Sequence, residues 1–458
     1  MHLVRKLLQR PYWVAALWIF VLFSLTSGVW LSWEYHLLDL IDPRTSDLMT
    51  MGLGYLCQAL GLLFSARLLK KNEQRRRLFL QTLGLFLIAS IPSLLGAPAL
   101  AVLLFGFFMN FLCGQLAAHY LYEAAHSCPQ TRRGLVFGAG YALSTVFIYV
   151  LSLPASGTFL HRRPVLIVYF LLALSALPLG LPLLSVPVPS REGLHRNRKD
   201  LLVPAALCVF LLSLVKNMGF SFPSGDIGRV SIELSRLFYA AGLLLAGLVS
   251  DRSRKTGAIL TVAALAIPFV QWSLSQEPVP ALLLWGLNYL FYGFFSVFRV
   301  LLFMDLAEEQ DCWHLAPLGL FAGRLGDATG TFLCILLGDA RPVLIVLTLC
   351  LFAASVFLFF RLFQMLYMPE AVREKSEQEV FEGFAMQHDL SAREKDVLRL
   401  LLLERTNTEI AQALFVSEST VKYHVHNLLQ KTGARTRQDL VRRYNTLRYP
   451  DLAREHAG

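Results

Sequence analysis

Two groups of side chains in this 458-residue chain have types and spacings that could do chemistry. The first is a set of charges inside otherwise apolar stretches: Lys216, Arg236, Arg299, Arg324 and Asp327. A charge in hydrocarbon is costly, so such residues face a cavity or a partner. Trp285, Asn288, Tyr289 and Tyr292 share the stretch that ends near Arg299 and add an aromatic, hydrogen-bonding face. Lys216, Arg236 and that face could hold a small anionic or aromatic ligand, whereas Arg299, Arg324 and Asp327 read as a structural ion network. The plainer alternative is that Lys216 and Arg236 snorkel to the outer interface. The second group lies near the C-terminus. Helical spacing turns Val421, Val425 and Leu428 inward and leaves Ser419, Thr420, Lys422, Tyr423, His426 and Asn427 outward. Lys422 could reach guanine O6 and N7, and His426 could donate to a base acceptor. Thr420, Lys431 and Arg435 are better placed for phosphates, which fix register without reading sequence.

No catalytic constellation is visible, no cofactor is implied, and an enzyme is not expected. With 55% apolar residues and a mean hydropathy of +0.52, the chain is unlike an ordinary soluble enzyme. The seven cysteines form no CxxC, and most lie in apolar stretches where they act as small hydrophobes. His126-Ser127-Cys128 and Cys312-Trp313-His314 offer zinc-type donors, but in separate loops at weakly diagnostic spacing, so no metal site is assigned.

Those charges must be positioned by membrane-spanning helices. About 20 apolar residues cross roughly 30 Å of hydrocarbon. Spans are expected near 13–33, 48–69, 78–96, 98–122, 134–153, 164–186, 201–222, 233–250, 257–275, 281–303, 318–338 and 342–363. The segment 13–33 is too long for the apolar part of a cleaved signal and reads as the first span. With the N-terminus inside, the inner loops carry 17 Lys/Arg: Arg5, Lys6, Arg10, Lys70, Lys71, Arg75–Arg77, Arg132, Arg133, Arg191, Arg196, Arg198, Lys199, Arg252, Arg254 and Lys255. The outer loops carry five: Arg44, Arg162, Arg163, Arg229 and Arg341. The positive-inside rule then places both termini in the cytoplasm of a multi-pass protein of the cytoplasmic (inner) membrane. Charge by region agrees: residues 1–368 hold 28 Lys/Arg against 18 Asp/Glu, 369–387 hold 2 against 5, and 388–458 hold 12 against 9. Most of the +10 therefore belongs to loops, and a DNA argument must rest on motif.

The stretch Gly247-Leu-Val-Ser-Asp251-Arg252-Ser-Arg254-Lys255 resembles the G-x-x-x-D-R-x-G-R-K loop of the major facilitator superfamily, with Arg254 in place of a glycine. The equivalent after span two, Gly61-Leu-Leu-Phe-Ser65-Ala-Arg67, has serine where the aspartate belongs. With twelve spans and a long loop at 187–200, the resemblance implies two six-helix halves whose spans seven, eight, ten and eleven line a central cavity. Lys216 and Arg236 would then lie toward the outer side, Arg299 and Arg324 toward the inner side, and Asp327 near the middle. Spans one to six hold no titratable group deep in the bilayer, which favours a transporter-derived sensor over a working carrier.

Past the acidic segment 369–387, helix starts are legible from capping. Ser391-x-x-Glu394 and Thr406-x-x-Glu409 are capping boxes, Ser417 opens a third helix that ends at Gly433, and Thr436-x-x-Asp439 opens a fourth. LSxRE at Leu390–Glu394, N-x-E-I-A at Asn407–Ala411, S-x-x-T-V-K-x-H-V at Ser417–Val425, and then Lys431 and Gly433, resemble the LuxR-type (GerE) DNA-binding domain. Glu404 stands where that family usually has glycine, and Thr432 replaces a usual leucine. The resemblance implies that Lys422, Tyr423 and His426 enter the major groove and that the fourth helix dimerises.

The fold class expected is thus all-α: a polytopic bundle of about 12 helices over 1–368, an acidic linker at 369–387 and a four-helix LuxR-type domain over 388–458. As a helix the linker would span about 30 Å, and fully extended no more than roughly 65 Å, so the reader stays near the inner leaflet. The expected function is a membrane-embedded DNA-binding transcriptional regulator that senses a small ligand and controls a nearby operon. The alternative is a secondary transporter with a regulatory DNA-binding tail. Expected partners are double-stranded DNA at an inverted repeat, membrane lipid, a small-molecule inducer, a second copy through the helix-turn-helix domain, and RNA polymerase.

Overall fold

The computed structural model describes residues 11–70, 74–95, 97–152, 164–186, 199–220, 232–273, 278–338, 340–367 and 369–448. Of the loop cations counted above, Arg5, Lys6, Arg10, Lys71, Arg162, Arg163, Arg191, Arg196, Arg198 and Arg229 lie outside the described residues. So do most of the loop at 187–200 and the last ten residues of the reader. The chain divides into two compact units, Met1–Phe363 and Gln364–Gly458.

The first unit contains twelve long helices among the described residues: α1 (Pro11–Leu38), α2 (Pro43–Leu69), α3 (Arg75–Leu95), α4 (Ala99–Ser127), α5 (Arg133–Ser152), α6 (Pro164–Leu184), α7 (Leu202–Phe220), α8 (Ile232–Arg252), α9 (Arg254–Ser273), α10 (Pro278–Glu309), α11 (Leu318–Leu337) and α12 (Arg341–Tyr367). Ten of them are long and apolar enough to cross a membrane; α8 and α9 fall short of that measure among the described residues. Exposed apolar side chains such as Leu100, Val203, Leu336 and Phe357 suit a hydrocarbon solvent, not water. Inside, the indole N–H of Trp18 donates to Ala176 O at 3.0 Å, and that of Trp33 to Val102 O at 3.0 Å. Buried donors without water nearby need such acceptors.

The helix packing repeats. In the first six, α1 packs on α5 and α4 packs on both α2 and α3; in the second six, α7 packs on α11 and α10 packs on both α8 and α9. Glycines permit the matching close approaches: a Cβ at Gly61 or Gly114 would collide with backbone across the α2–α4 crossing, and one at Gly242 or Gly293 across α8–α10. The halves meet through α2 against α11 and α5 against α8. α2 is not regular throughout, because Leu48–Gly54 is wound as a π-helix, a local overwidening that often accompanies functional sites.

One end of this unit is held by a chain of ion pairs. Arg75 Nη1 lies 2.8 Å from both Glu123 oxygens, His126 Nε2 is 2.7 Å from Glu123, and Arg75 Nη2 donates to Val186 O. Asp251 at the end of α8 accepts from the first N–H groups of α5, Gly134 at 2.8 Å and Leu135 at 2.7 Å. Arg254 reaches Asp305 on α10 at 2.8 Å, and Arg133 reaches Glu308 at 2.7 Å.

The second unit is a separate small core. α13 (Pro369–Gln387) precedes α14 (Ala392–Leu402), α15 (Asn407–Leu414), α16 (Glu418–Thr432) and α17 (Arg437–Arg448). Leu398, Leu401, Ile410, Val421, Leu428 and Leu440 are fully buried in it. The segment 369–387, expected as a linker, is not a linker throughout. Phe381, Phe384 and Ala385 are buried against the reader, and Phe384 meets Tyr444 edge-on at 5.4 Å. Its acidity is likewise used within the unit, where Glu382 lies 2.7 Å from Lys395 and 3.7 Å from Arg399.

Candidate ligand cavity and DNA-reading surface

A cavity of about 410 Å³ lies inside the first unit, walled by α1, α2, α4, α5, α7, α8, α10 and α11. That is room for a small molecule. Lys216, Arg236, Tyr289 and Tyr292 line it, as the sequence placed them, but so do Arg299, Arg324 and Asp327. The residues expected as a ligand set and those expected as a structural network thus share one wall. Lys216 Nζ lies 2.5 Å from Asp327 Oδ1, while Arg299 Nη1 and Arg324 Nη1 stand 3.6 and 3.8 Å from Asp327 Oδ2. One carboxylate centres three cations. Asn217, next to Lys216, donates to the Asp327 carbonyl and to Thr331 Oγ1.

Aromatic faces cover the same cations. Lys216 Nζ sits 4.5 Å from the Tyr292 ring centre, and Arg324 stacks 4.3 Å over Tyr55, an arrangement that attracts a cation to the ring quadrupole. Tyr239 links this wall together, with ring centres 5.5 Å from Tyr292, 5.5 Å from Tyr141 and 6.5 Å from Tyr289. Two expected members are elsewhere. Trp285 stacks on Tyr289 at 5.9 Å, and Asn288 is buried; neither is among the residues that line the cavity. Sequence reasoning missed the first half's share: Trp30, Tyr55, Gln58, Tyr120 and Tyr141. Gln58 was legible as a polar residue in a span, and it is tied to Asn110 at 2.7 Å. Tyrosines are common in spans and gave no such signal. Of the zinc-type donors, His126 is engaged by Glu123 and Arg75, and no cluster of three or more His, Cys, Asp or Glu suited to a metal occurs among the described residues.

In the second unit the helix starts follow the capping chemistry. Ser391 and Thr406 each accept from the N–H of the glutamate three residues on, and Glu394 and Glu409 return the bond to the cap N–H. Asp439 departs slightly, reaching back to the Arg435 N–H at 3.1 Å. That N–H holds the Asp439 carboxyl below its ordinary range, as the Thr406 N–H does for Glu409. Phe415, in a left-handed conformation (φ 54°), turns the chain between α15 and α16. Gly433 (φ 65°) ends α16, where glycine carries no Cβ penalty.

On α16, Ser419, Lys422, Tyr423 and His426 are exposed, and Thr420 and Asn427 are half-buried. The helix thus presents Lys422 and Tyr423 outward, with Lys422 Nζ resting 3.2 Å from Glu418. Arg435 is exposed beyond the helix end. Lys431, expected at a phosphate, is occupied within the domain. Its Nζ lies 2.8 Å from the buried Glu394 carboxylate and 2.8 Å from the Asp389 carbonyl, so it ties α16 to the start of α14.

This geometry defines a class: a helix-turn-helix DNA-binding transcription regulator joined to a transporter-like membrane bundle. Residues 388–444 match the family of bacterial regulatory proteins, luxR family. Over 52 residues the chain is 44% identical to the spore germination protein GerE of Bacillus subtilis (strain 168), an alignment covering 11% of this chain and 70% of GerE. Through this domain the chain belongs to the luxR family of bacterial regulatory proteins. It is also 44% identical over 52 residues to the CsgBAC operon transcriptional regulatory protein of Escherichia coli (strain K12), spanning 11% of this chain but only 24% of that protein. The first unit resembles solved transporters in fold. The E. coli fucose:proton symporter FucP superposes with a TM-score of 0.54 at 13% identity, covering 77% of this chain and 98% of that one. The human organic anion transporter MFSD10 (TETRAN) gives 0.52 at 15% identity, covering 78% and 98%. The bundle is therefore major-facilitator-like.

Proposed function

We propose that this chain is a membrane-embedded transcription regulator whose facilitator-like unit senses a small ligand and whose luxR-type unit controls a nearby operon. The observation that carries the reading is the cavity wall in which Lys216, Arg299 and Arg324 converge on Asp327. A ligand that engages this cluster in one arrangement of the two halves, and less well in another, shifts the population between them. The excess of Lys and Arg on the loops assigned to the inside supports a topology with both termini in the cytoplasm, at the inner membrane, where the reader would meet double-stranded DNA. A domain this small covers one half-site, so two copies would pair through α17 on an inverted repeat and present the reader to RNA polymerase. Ser419, Thr420, Lys422, Tyr423, His426, Asn427 and Arg435 would form the DNA face. The test is a promoter fusion identified by immunoprecipitating the full chain with its DNA. Substituting Lys216 and Arg236 together should blunt the response to inducing growth conditions at unchanged protein level, and an unchanged response rejects the cavity as sensor.

A second reading, a secondary transporter with a regulatory tail, draws on the buried Lys216–Asp327 pair, a titratable couple of the kind coupled carriers need. Uptake into vesicles of a compound that binds the cavity separates the two: a sensor binds it without accumulating it.

A further inference from the structure

The cavity holds more positive charge than its own carboxylate neutralises. Lys216, Arg299 and Arg324 converge on Asp327, the one carboxylate among the described residues that line it. Lys216 alone is within hydrogen-bond distance of Asp327; Arg299 and Arg324 stand off at 3.6 and 3.8 Å. Arg299 is 4% exposed, and its Nε and Nη1, like Nε of Arg324, have no hydrogen-bond acceptor among the described residues. A guanidinium presents donors in a planar fork and accepts nothing. Burying such donors unmatched is costly, and the group that matches them best is a planar or tetrahedral oxyanion, taken bidentately. Beside the forks stand aromatic rings, Tyr239, Tyr289 and Tyr292. The space of about 410 Å³ exceeds what an inorganic anion needs.

We infer, resting on the sensor reading above, that the cavity takes a ring-bearing organic oxyanion, a carboxylate or phosphate monoester. Its charged end lies on Arg299 and Arg324, and its ring against the tyrosine wall. Asp327 then acts as the internal occupant of the cation cluster and competes with the ligand for it. Arg299 and Arg324 thereby pass from a structural role to ligand recognition.

The experiment uses the purified full chain in phosphatidylcholine nanodiscs, so that no anionic headgroup competes, and follows heat of binding by calorimetry, with the tryptophan fluorescence to which Trp30 in the cavity wall contributes as a second readout. Sodium benzoate, phenyl phosphate and neutral benzyl alcohol are titrated in turn. The expected result is a saturable change with benzoate or phenyl phosphate, at least about tenfold tighter than with benzyl alcohol; the tighter of the two names the oxyanion. R299Q should remove the preference for the anion and R299K should keep part of it, while D327N should tighten the anion. Should R299Q fail to fold, R324Q carries the same expectation. Benzyl alcohol binding as tightly as the anions, or no saturable response to either anion below about 10 mM, overturns the inference. Anion binding in the nanodisc with no change in promoter output when cells are exposed to that anion would support the site and overturn the sensor reading instead.

Discussion

Lys431 Nζ and Glu394 Oε2 lie 2.8 Å apart, and the same ammonium also donates to the Asp389 carbonyl at 2.8 Å. A basic residue near the end of a DNA-reading helix is thus committed to holding α16 against the capping box of α14. Lys431→Ala should destabilise the Gln364–Gly458 unit by about 1 kcal/mol, less than the ~1.5–3 kcal/mol of a fully buried charged bond because the lysine is partly solvated. The salt dependence of operator binding should keep its slope. A shallower slope with unchanged melting temperature would return Lys431 to a phosphate.

The same pair sets an acid limit. Burial, the largest influence on Glu394, raises its carboxyl, and hydrogen bonds from Lys431 and Ser391 outweigh it, leaving the group below its ordinary 4.5. A lowered value in the folded state means stabilisation present above pH about 4.5 and lost as pH falls through the folded value. Acid titration of the unit, followed by circular dichroism, should show a steeper loss below pH 4.5 in the natural protein than in Lys431→Ala. Coincident acid limbs would contradict it.

Much of the reader was legible because capping and periodicity act within a few residues. Ser391, Thr406 and Ser417 open the helices they were expected to open. What the sequence could not show was long-range commitment. Lys431 looked free because its partner lies 37 residues away, and Phe381 and Phe384 looked like linker because one turn of apolar residues in an acidic helix has no visible partner. In the bundle, span positions followed from hydropathy, yet Arg75, Arg133 and Arg254 were counted as loop charges. They prove to be ion-paired, two of them across 172 and 51 residues. The cavity charges were found because charge in an apolar span is conspicuous, and Tyr289 and Tyr292 with them; Tyr55, Tyr120, Tyr141 and Tyr239 were not.

Glu404 adopts a left-handed backbone, φ 60°, after α14. A non-glycine residue there is disfavoured by roughly 1–2 kcal/mol, partly offset by the extra freedom that glycine brings to the unfolded chain. Glu404→Gly should stabilise the unit by about 0.5–1 kcal/mol and leave DNA binding intact. A drop in melting temperature would mean that the glutamate side chain contributes more than its backbone costs.

Lys422 and Tyr423 project from α16 with no core role. Lys422→Ala should weaken operator binding by roughly 1–3 kcal/mol, a loss of about fivefold to more than a hundredfold, with normal insertion into the membrane. Binding measured by mobility shift at natural strength would remove Lys422 from the DNA face.

Asp251 joins the end of α8 to the start of α5 through Gly134 and Leu135, whereas the corresponding place near the end of α2 has Ser65. Asp251→Ala should leave two helix-start donors unmatched, the Gly134 N–H buried and the Leu135 N–H half-buried, and loosen this end of the bundle. Cys128, buried nearby, should then react faster with a maleimide in a variant whose other cysteines are replaced. An unchanged rate would show that Arg254 and Arg133 close this end without Asp251.

The most direct measurement joins the two units. At promoters recovered with the full chain, transcription is compared between the natural protein and R299Q at matched membrane levels, with Lys422→Ala as the silent reference. The account predicts that the cavity substitution changes promoter output at least about fivefold, the size of a modest coupling between sites, although residue 299 is in the bundle and touches no DNA. Output identical to that of the natural protein, with the cavity's anion preference abolished, would contradict it.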